Sequence, residues 1–182
     1  MKNKRPSKEE YYLNIAKEVA ERSTCFRNKG GAIIVRGDQI IAAGYIGAPR
    51  KTRDCFEREE CLRDKLKIPH GTRYEICRSV HAEMNAIVNA ARAGVSLLDG
   101  DMYMYHRDRN NQEMDSYPCF ICKKLIINAG INGVICGTKE KGIRIFEVKD
   151  WIEDWQKKDI LDDEHKYGKD LNKNDKLKDN LT

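Results

Sequence analysis

The sequence predicts an α/β fold in which helices pack on both faces of one sheet. Three observations predict it. Helical and strand-like segments run in the order helix, hairpin, helix, strand, helix, strand along most of the chain. Two short β-rich runs flank Gly37-Asp38, a pair suited to a two-residue hairpin turn. Two helical runs each close on a glycine, Gly94 and Gly130, the residue that most easily takes the left-handed conformation past a helix end.

The elements follow in chain order. Residues 8–22 carry Tyr12, Ile15, Ala16 and Val19 at helical spacing behind Ser7, a natural helix cap. Residues 31–36 and 39–44 are the two arms of the hairpin. Residues 45–80 lack periodicity and hold three cysteines, and so long an irregular stretch needs something to fix it. Residues 81–93 form a helix, 101–105 a strand, and the polar segment 106–117 a loop. Residues 119–129 form another helix, 131–136 and 143–148 strands, and 150–158 a short helix. From Asp159 onward the chain is charged and poor in apolar residues. The reading is therefore one domain over residues 1–158 and a mobile tail over 159–182.

Composition narrows the function. The 182 residues carry 34 basic and 29 acidic side chains, a net charge of +5 without a basic block. Mixed charge of this kind is an ordinary solvated surface and argues against a nucleic-acid partner. The basic start, Met1 to Arg5, is not followed by an apolar run. No stretch approaches the ~20 apolar residues that span a bilayer, so a cytoplasmic protein without a membrane partner is expected. Seven cysteines, an odd number, then point to metal ligands rather than a disulfide framework.

Two segments carry chemistry: His81-Ala82-Glu83 and Pro118-Cys119-Phe120-Ile121-Cys122. Each opens a helix. Cys119 and Cys122, three apart at a helix start, can turn both sulfurs to one ion, and the helix dipole favours their thiolates. His81, from a second helix start, supplies a third ligand. Three ligands leave a fourth position for water, as in catalytic zinc sites. Glu83 lies two residues after His81, turned away from the metal and free to face the water and a substrate ring. Zinc brings its water towards a pKa of ~7, and Glu83 can move that proton to a ring nitrogen and a leaving amine. Either motif alone is weak, since redox pairs and zinc ribbons share C-x-x-C and a lone histidine often caps a helix. Together, H-x-E and P-C-x-x-C form the signature of zinc nucleobase deaminases.

The chain is identified on these residues as resembling the deoxycytidylate deaminases, within the zinc-dependent cytidine and deoxycytidylate deaminase family. The likeness runs from about Pro6 to Val148. Arg22-Ser23-Thr24-Cys25 with Gly31-Ala32-Ile33-Ile34-Val35 resembles the family's first helix and strand, and Gly44-Tyr45-Ile46-Gly47-Ala48-Pro49 its glycine-rich loop. His81-Ala82-Glu83-Met84-Asn85-Ala86-Ile87 resembles the first metal motif, and Asn128-Ala129-Gly130-Ile131 the end of the second metal helix. Asn85 and the cysteine-rich insert 55–77 favour the deoxycytidylate branch over the tRNA adenosine branch.

The resemblance implies a three-layer α/β/α cytidine-deaminase-like fold with a mixed sheet of about five strands. It implies hydrolysis of dCMP, or a close 5-substituted analogue, to dUMP and ammonia in pyrimidine nucleotide metabolism. It also implies a homo-oligomer, hexamer or dimer, with dCTP (with Mg²⁺) activating and dTTP inhibiting in regulated members. Three departures stand out: Ile46 replaces the usual asparagine, residues 106–117 lengthen a connection, and Asn89 replaces an aromatic residue of some regulated members.

Cys25, Cys55, Cys61 and Cys77 could close a second, structural zinc site, as in some bacterial and phage members of the family at positions resembling Cys25 and Cys55. His70 is a substitute for Cys61, and Cys136 reads as core. The alternative is that some are buried thiols. Gly31, Ala32, Ala82 and Asn85 are expected at the substrate, the Ala82 backbone donating to the pyrimidine carbonyl. Arg27, Arg50, Arg53 and Arg107 are expected as phosphate partners or as solvated surface. Competing readings are a deaminase of tRNA adenosine, cytidine or another aminated heterocycle, and a non-catalytic zinc-stabilised binding module. The tail, with five Lys against seven Asp and Glu, does not favour tRNA, and the intact Glu83 does not favour a structural module.

Overall fold

The computed structural model describes residues 5–69, 72–139 and 142–158. His70 and the tail over 159–182 lie outside the described residues.

Helix α1 (Lys8–Ala20) begins at a reciprocal cap: Glu10 N–H donates to Ser7 Oγ at 3.1 Å and Ser7 N–H to Glu10 Oε2 at 2.7 Å. Strands β1 (Asn28–Arg36) and β2 (Gln39–Tyr45) form the expected hairpin. Gly37 and Asp38 both have positive φ, 54° and 61°, as a type I′ turn requires. Among the described residues of 46–81, the regular structure is a one-turn helix α2 (Leu62–Lys65), a 3₁₀ turn (Tyr74–Ile76) and a bridge from Gly47 to Val80.

Helix α3 (Ala82–Ala93) ends at Gly94 with φ 68°. Strand β3 (Asp101–Asp108) and helix α4 (Phe120–Asn128) follow, with β5 (Gly133–Thr138), β6 (Gly142–Glu147) and α5 (Val148–Lys157) beyond. The expected loop 106–117 is partly sheet: β3 continues to Asp108 and pairs back with a short β4 (Glu113–Met114). Asp108 closes that hairpin, its carboxylate accepting from the N–H groups of Asn110 and Gln112 at 2.8 and 2.9 Å. The polar residues hid the strand because β1 and β4, rather than an apolar face, satisfy its backbone there.

The strand order is β2-β1-β3-β5-β6, with β4 paired to β3 off this path. Among the described strands, β3 and β5 run parallel and the other pairs antiparallel. Helix α1 covers one face over Ile33, Val35, Tyr103 and Tyr105. Helices α3, α4 and α5 cover the other, over Ala32, Ile34, Met102 and Met104, with the fully buried Trp151 closing the far end. Successive residues of a strand thus serve different layers.

Two glycines set the helices close to the sheet. A Cβ at Gly31 would lie 2.1 Å from the Ala16 carbonyl oxygen on α1, and one at Gly44 would lie 2.2 Å from the Ala86 nitrogen on α3. No helix among the described residues is long and apolar enough to cross a membrane.

Candidate active site

His81 and Cys119 occupy the N-cap positions of α3 and α4, and neither side chain makes a capping hydrogen bond. Both side chains turn to each other instead. His81 Nδ1 lies 3.6 Å from Cys119 Sγ and 3.5 Å from Cys122 Sγ. All three ligand atoms lie within 4.8 Å of one another. A tetrahedral ion with bonds of ~2.05 Å to nitrogen and ~2.3 Å to sulfur sets those atoms about 3.6 Å apart. The donor set therefore fits zinc without rearrangement. Tyr74, from the irregular segment, packs edge-on to the His81 ring at 4.9 Å.

The electrostatics suit a cation. A hydrogen bond from Cys122 holds the Cys119 thiol down to about 4 against the effect of burial, with His81 adding to it. The same bond, burial and the neighbouring Glu83 push Cys122 upward. Burial pulls His81 down, but Cys119 and the Glu83 charge outweigh it and raise the ring. The cluster thus favours a thiolate at Cys119 and a thiol at Cys122.

Glu83 is 2% exposed, and its Oε2 is buried without a hydrogen-bond partner among the described residues. An orphaned acceptor of this kind costs ~1–3 kcal/mol, more when charged, so its persistence marks a place where a ligand belongs.

The cytidine and deoxycytidylate deaminase zinc-binding region matches residues 6–138. The chain belongs to that deaminase family. It is 33% identical over 134 residues to the deoxycytidylate deaminase of Schizosaccharomyces pombe, covering 74% of this chain and 38% of that one. It is 32% identical over 135 residues to that of Mycobacterium phage D29, covering 72% of this chain and 94% of that one. The dCMP deaminase of cyanophage S-TIM5, solved with dCMP and dUMP, superposes with a TM-score of 0.53 at 28% identity, covering 72% of this chain and 82% of that one. The chain spans about two-fifths of the length of the two yeast relatives, 38% in each.

The fold also corrects or refines several expectations for this deaminase-family chain. Gly31 faces α1, where its small size serves that contact. Its neighbour Gly30 is the one on the α3 face, where His106 and Ile46 crowd its α-carbon. A slip of one residue exchanges the two faces of a strand. Ala32 is fully buried in the core beneath α3. Ala82 stands at the start of α3 as expected, with its backbone in the helix's first turn.

Asn85 is a structural clasp: its amide donates to the Tyr45 carbonyl at 2.8 Å, while Asn89, one turn on, donates to the Ala43 carbonyl at 2.7 Å. Arg50 is held by Asn89 at 2.7 Å, Arg53 donates to the Glu57 carbonyl, and Arg107 pairs with Glu21 on the α1 side. Arg27 bonds Asp64 and the Ile68 carbonyl, yet lines a cavity with His81.

That cavity also gathers Cys25, Cys55, Cys61 and Cys77. Cys25 and Cys61 act electrostatically on Cys55, whose thiol is raised chiefly by burial. Among the described residues, however, only His81, Cys119 and Cys122 form a group of metal-binding atoms as close as 4.8 Å. Asn28, Arg63, Tyr74 and Arg78 share the cavity; sequence reasoning passed over the last three because they sit in an aperiodic stretch, and over Asn28 because it only opens β1. His106 was passed over because the sequence placed it at the start of a polar loop, and only its alternation with Met104 along β3 would have signalled it.

Proposed function

We propose that the chain hydrolyses dCMP, or a close 5-substituted analogue, to dUMP and ammonia, with zinc held by His81, Cys119 and Cys122. The observation that carries this reading is the unpartnered, buried Glu83 Oε2 beside a donor set matched to zinc. The deoxycytidylate deaminases among its relatives support the choice of base. When bound, zinc supplies Lewis acidity and an acidified water. Glu83 would take the two protons of the attacking water in turn and pass one to the ring nitrogen and one to the departing amine. The Ala82 N–H, in the first turn of α3 where N–H groups have no helical partner, donates to the pyrimidine carbonyl. The N-cap position of both ligand-bearing segments orients the metal site with respect to that donor.

The second part of the proposal is a structural zinc held by Cys25, Cys55, Cys61 and Cys77, which share one cavity. Binding would draw the sulfurs into ligand range and fix the irregular segment. The deaminase unit spans 1–158 and the tail 159–182. All seven cysteines are free thiols, in keeping with a reducing cytoplasm. Exposed Ile143 and Ile145 on the edge strand β6 support assembly into a homo-oligomer, dimer or hexamer. The family resemblance extends the reading to dCTP–Mg²⁺ and dTTP as effectors.

Ammonia release from zinc-loaded protein tests the proposal with dCMP, 5-methyl-dCMP, dCTP, deoxycytidine and cytidine. Turnover confined to the monophosphates is expected. Turnover on cytidine but not dCMP would reassign the substrate.

A further inference from the structure

His106 is a polar side chain in this neighbourhood with no role in the scheme above. It lies on β3 two residues beyond Met104, whose side chain is in the core beneath α3, so strand alternation puts His106 on that face. Its cross-strand partner is Gly30. A Cβ at Gly30 would lie 2.5 Å from His106 Cδ2, 2.6 Å from Nε2 and 2.7 Å from Ile46 Cδ1. The imidazole therefore lies over the Gly30 α-carbon with Nε2 and the Ile46 methyl converging on one point, in space that any larger residue at position 30 would occupy. Glu83, His81 and Cys119 all act electrostatically on the ring, which sets it beside the reacting centre. Among the described residues, none forms a hydrogen bond with either ring nitrogen. The residue as a whole is only partly buried.

We propose that His106 is a substrate-binding residue: its imidazole forms the sheet-side floor of the deaminase pocket and hydrogen-bonds the pyrimidine ring of the bound nucleotide. Neutral imidazole offers one donor and one acceptor. Ile46 and Gly30 beside it have no side-chain polar group, so His106 alone gives this part of the floor a directional contact. A base seated over it must pair with the ring or leave it desolvated and unpaired, and such a penalty is how a pocket discriminates. Gly30 is the residue that lets the ring lie flat. The assignment rests on the pyrimidine nucleotide reading proposed above.

The test uses the zinc-loaded full chain as wild type, His106→Leu, His106→Gln and Gly30→Ala. Zinc content, melting temperature, dCMP kinetics and the dUMP dissociation constant are measured for each. The leucine variant is expected to keep its zinc and raise both KM and the dUMP constant about tenfold, with kcat within about threefold, as for loss of ground-state binding. Glutamine is expected to restore KM to within about threefold. Gly30→Ala is expected to displace the ring and raise KM as leucine does, and it decides the matter on the same readouts if the leucine variant does not fold. Unchanged KM and dUMP binding in an active background, or equal impairment by leucine and glutamine, would overturn the assignment alone. A wild type inactive on dCMP and blind to dUMP would overturn the substrate reading, and this assignment with it.

Discussion

The two groups of cysteines differ in how the chain holds them. Cys119 and Cys122 share the start of α4, and His81 stands at the start of α3. Helix α3 is pressed onto β2 at Gly44, and α4 is anchored by the fully buried Cys122 and Ile126. The fold itself therefore brings these three ligands within 4.8 Å. Cys25, Cys55, Cys61 and Cys77 come instead from loops and turns of an aperiodic path. They reach one cavity without forming a comparably close group among the described residues. Regular elements bring ligands together by themselves, whereas the proposed second ion would have to draw its ligands together from an irregular segment.

That contrast breaks most visibly under ligand removal. His81→Ala or Cys119→Ser should abolish catalytic metal binding and lower dCMP turnover by about 10³-fold or more, because three protein ligands would hold the ion and, among the described residues, no further ligand lies in that group to replace a lost donor. Helix content, read by circular dichroism, should change little. Cys55→Ser should do the reverse, removing one of two zinc equivalents and about 3 kcal/mol of stability, roughly 10 °C in melting temperature. One zinc per chain in wild type, unchanged in Cys55→Ser, would remove the second site from the account.

Next in size is the contact that places α3. Gly44→Ala forces a Cβ to within 2.2 Å of the Ala86 nitrogen. The cost should be about 1–3 kcal/mol in a denaturant titration, with weaker retention of catalytic zinc because α3 carries His81. Asn89→Ala should cost only about 1 kcal/mol, as it removes the bonds to Ala43 and Arg50 but touches neither metal group.

The smallest effect is a titration. In metal-free protein, Cys119 is held at about 4. Because this folded value is depressed, its stabilising contribution is present above the unfolded thiol range and is lost as pH falls through about 4. Thiolate absorbance near 240 nm should persist to that pH and disappear in Cys119→Ser.

The same contrast explains what could be read in the sequence. His81, Glu83, Cys119 and Cys122 were legible because helix starts impose short, fixed spacings on their chemistry. Gly37-Asp38 was legible because a type I′ turn needs positive φ at both positions. The β3–β4 hairpin was not, because its stabilising partners are backbone groups of distant strands and its own side chains are mostly polar. Gly30 and Gly31 could not be told apart in the sequence because neighbouring glycines serve opposite layers, and only the strand register separates the α1 side from the side that holds His106. The cavity of the irregular segment depends on long-range contacts such as Arg27 to Asp64 and Arg78 to Glu60, which leave no local period.

The most direct test of the central claim pairs wild type with Glu83→Gln in one experiment that measures bound zinc and dUMP formed from dCMP. The account predicts equal catalytic zinc in both proteins and a rate about 10³- to 10⁴-fold lower in the variant. A zinc-loaded Glu83→Gln protein that still forms dUMP at near the wild-type rate would contradict it.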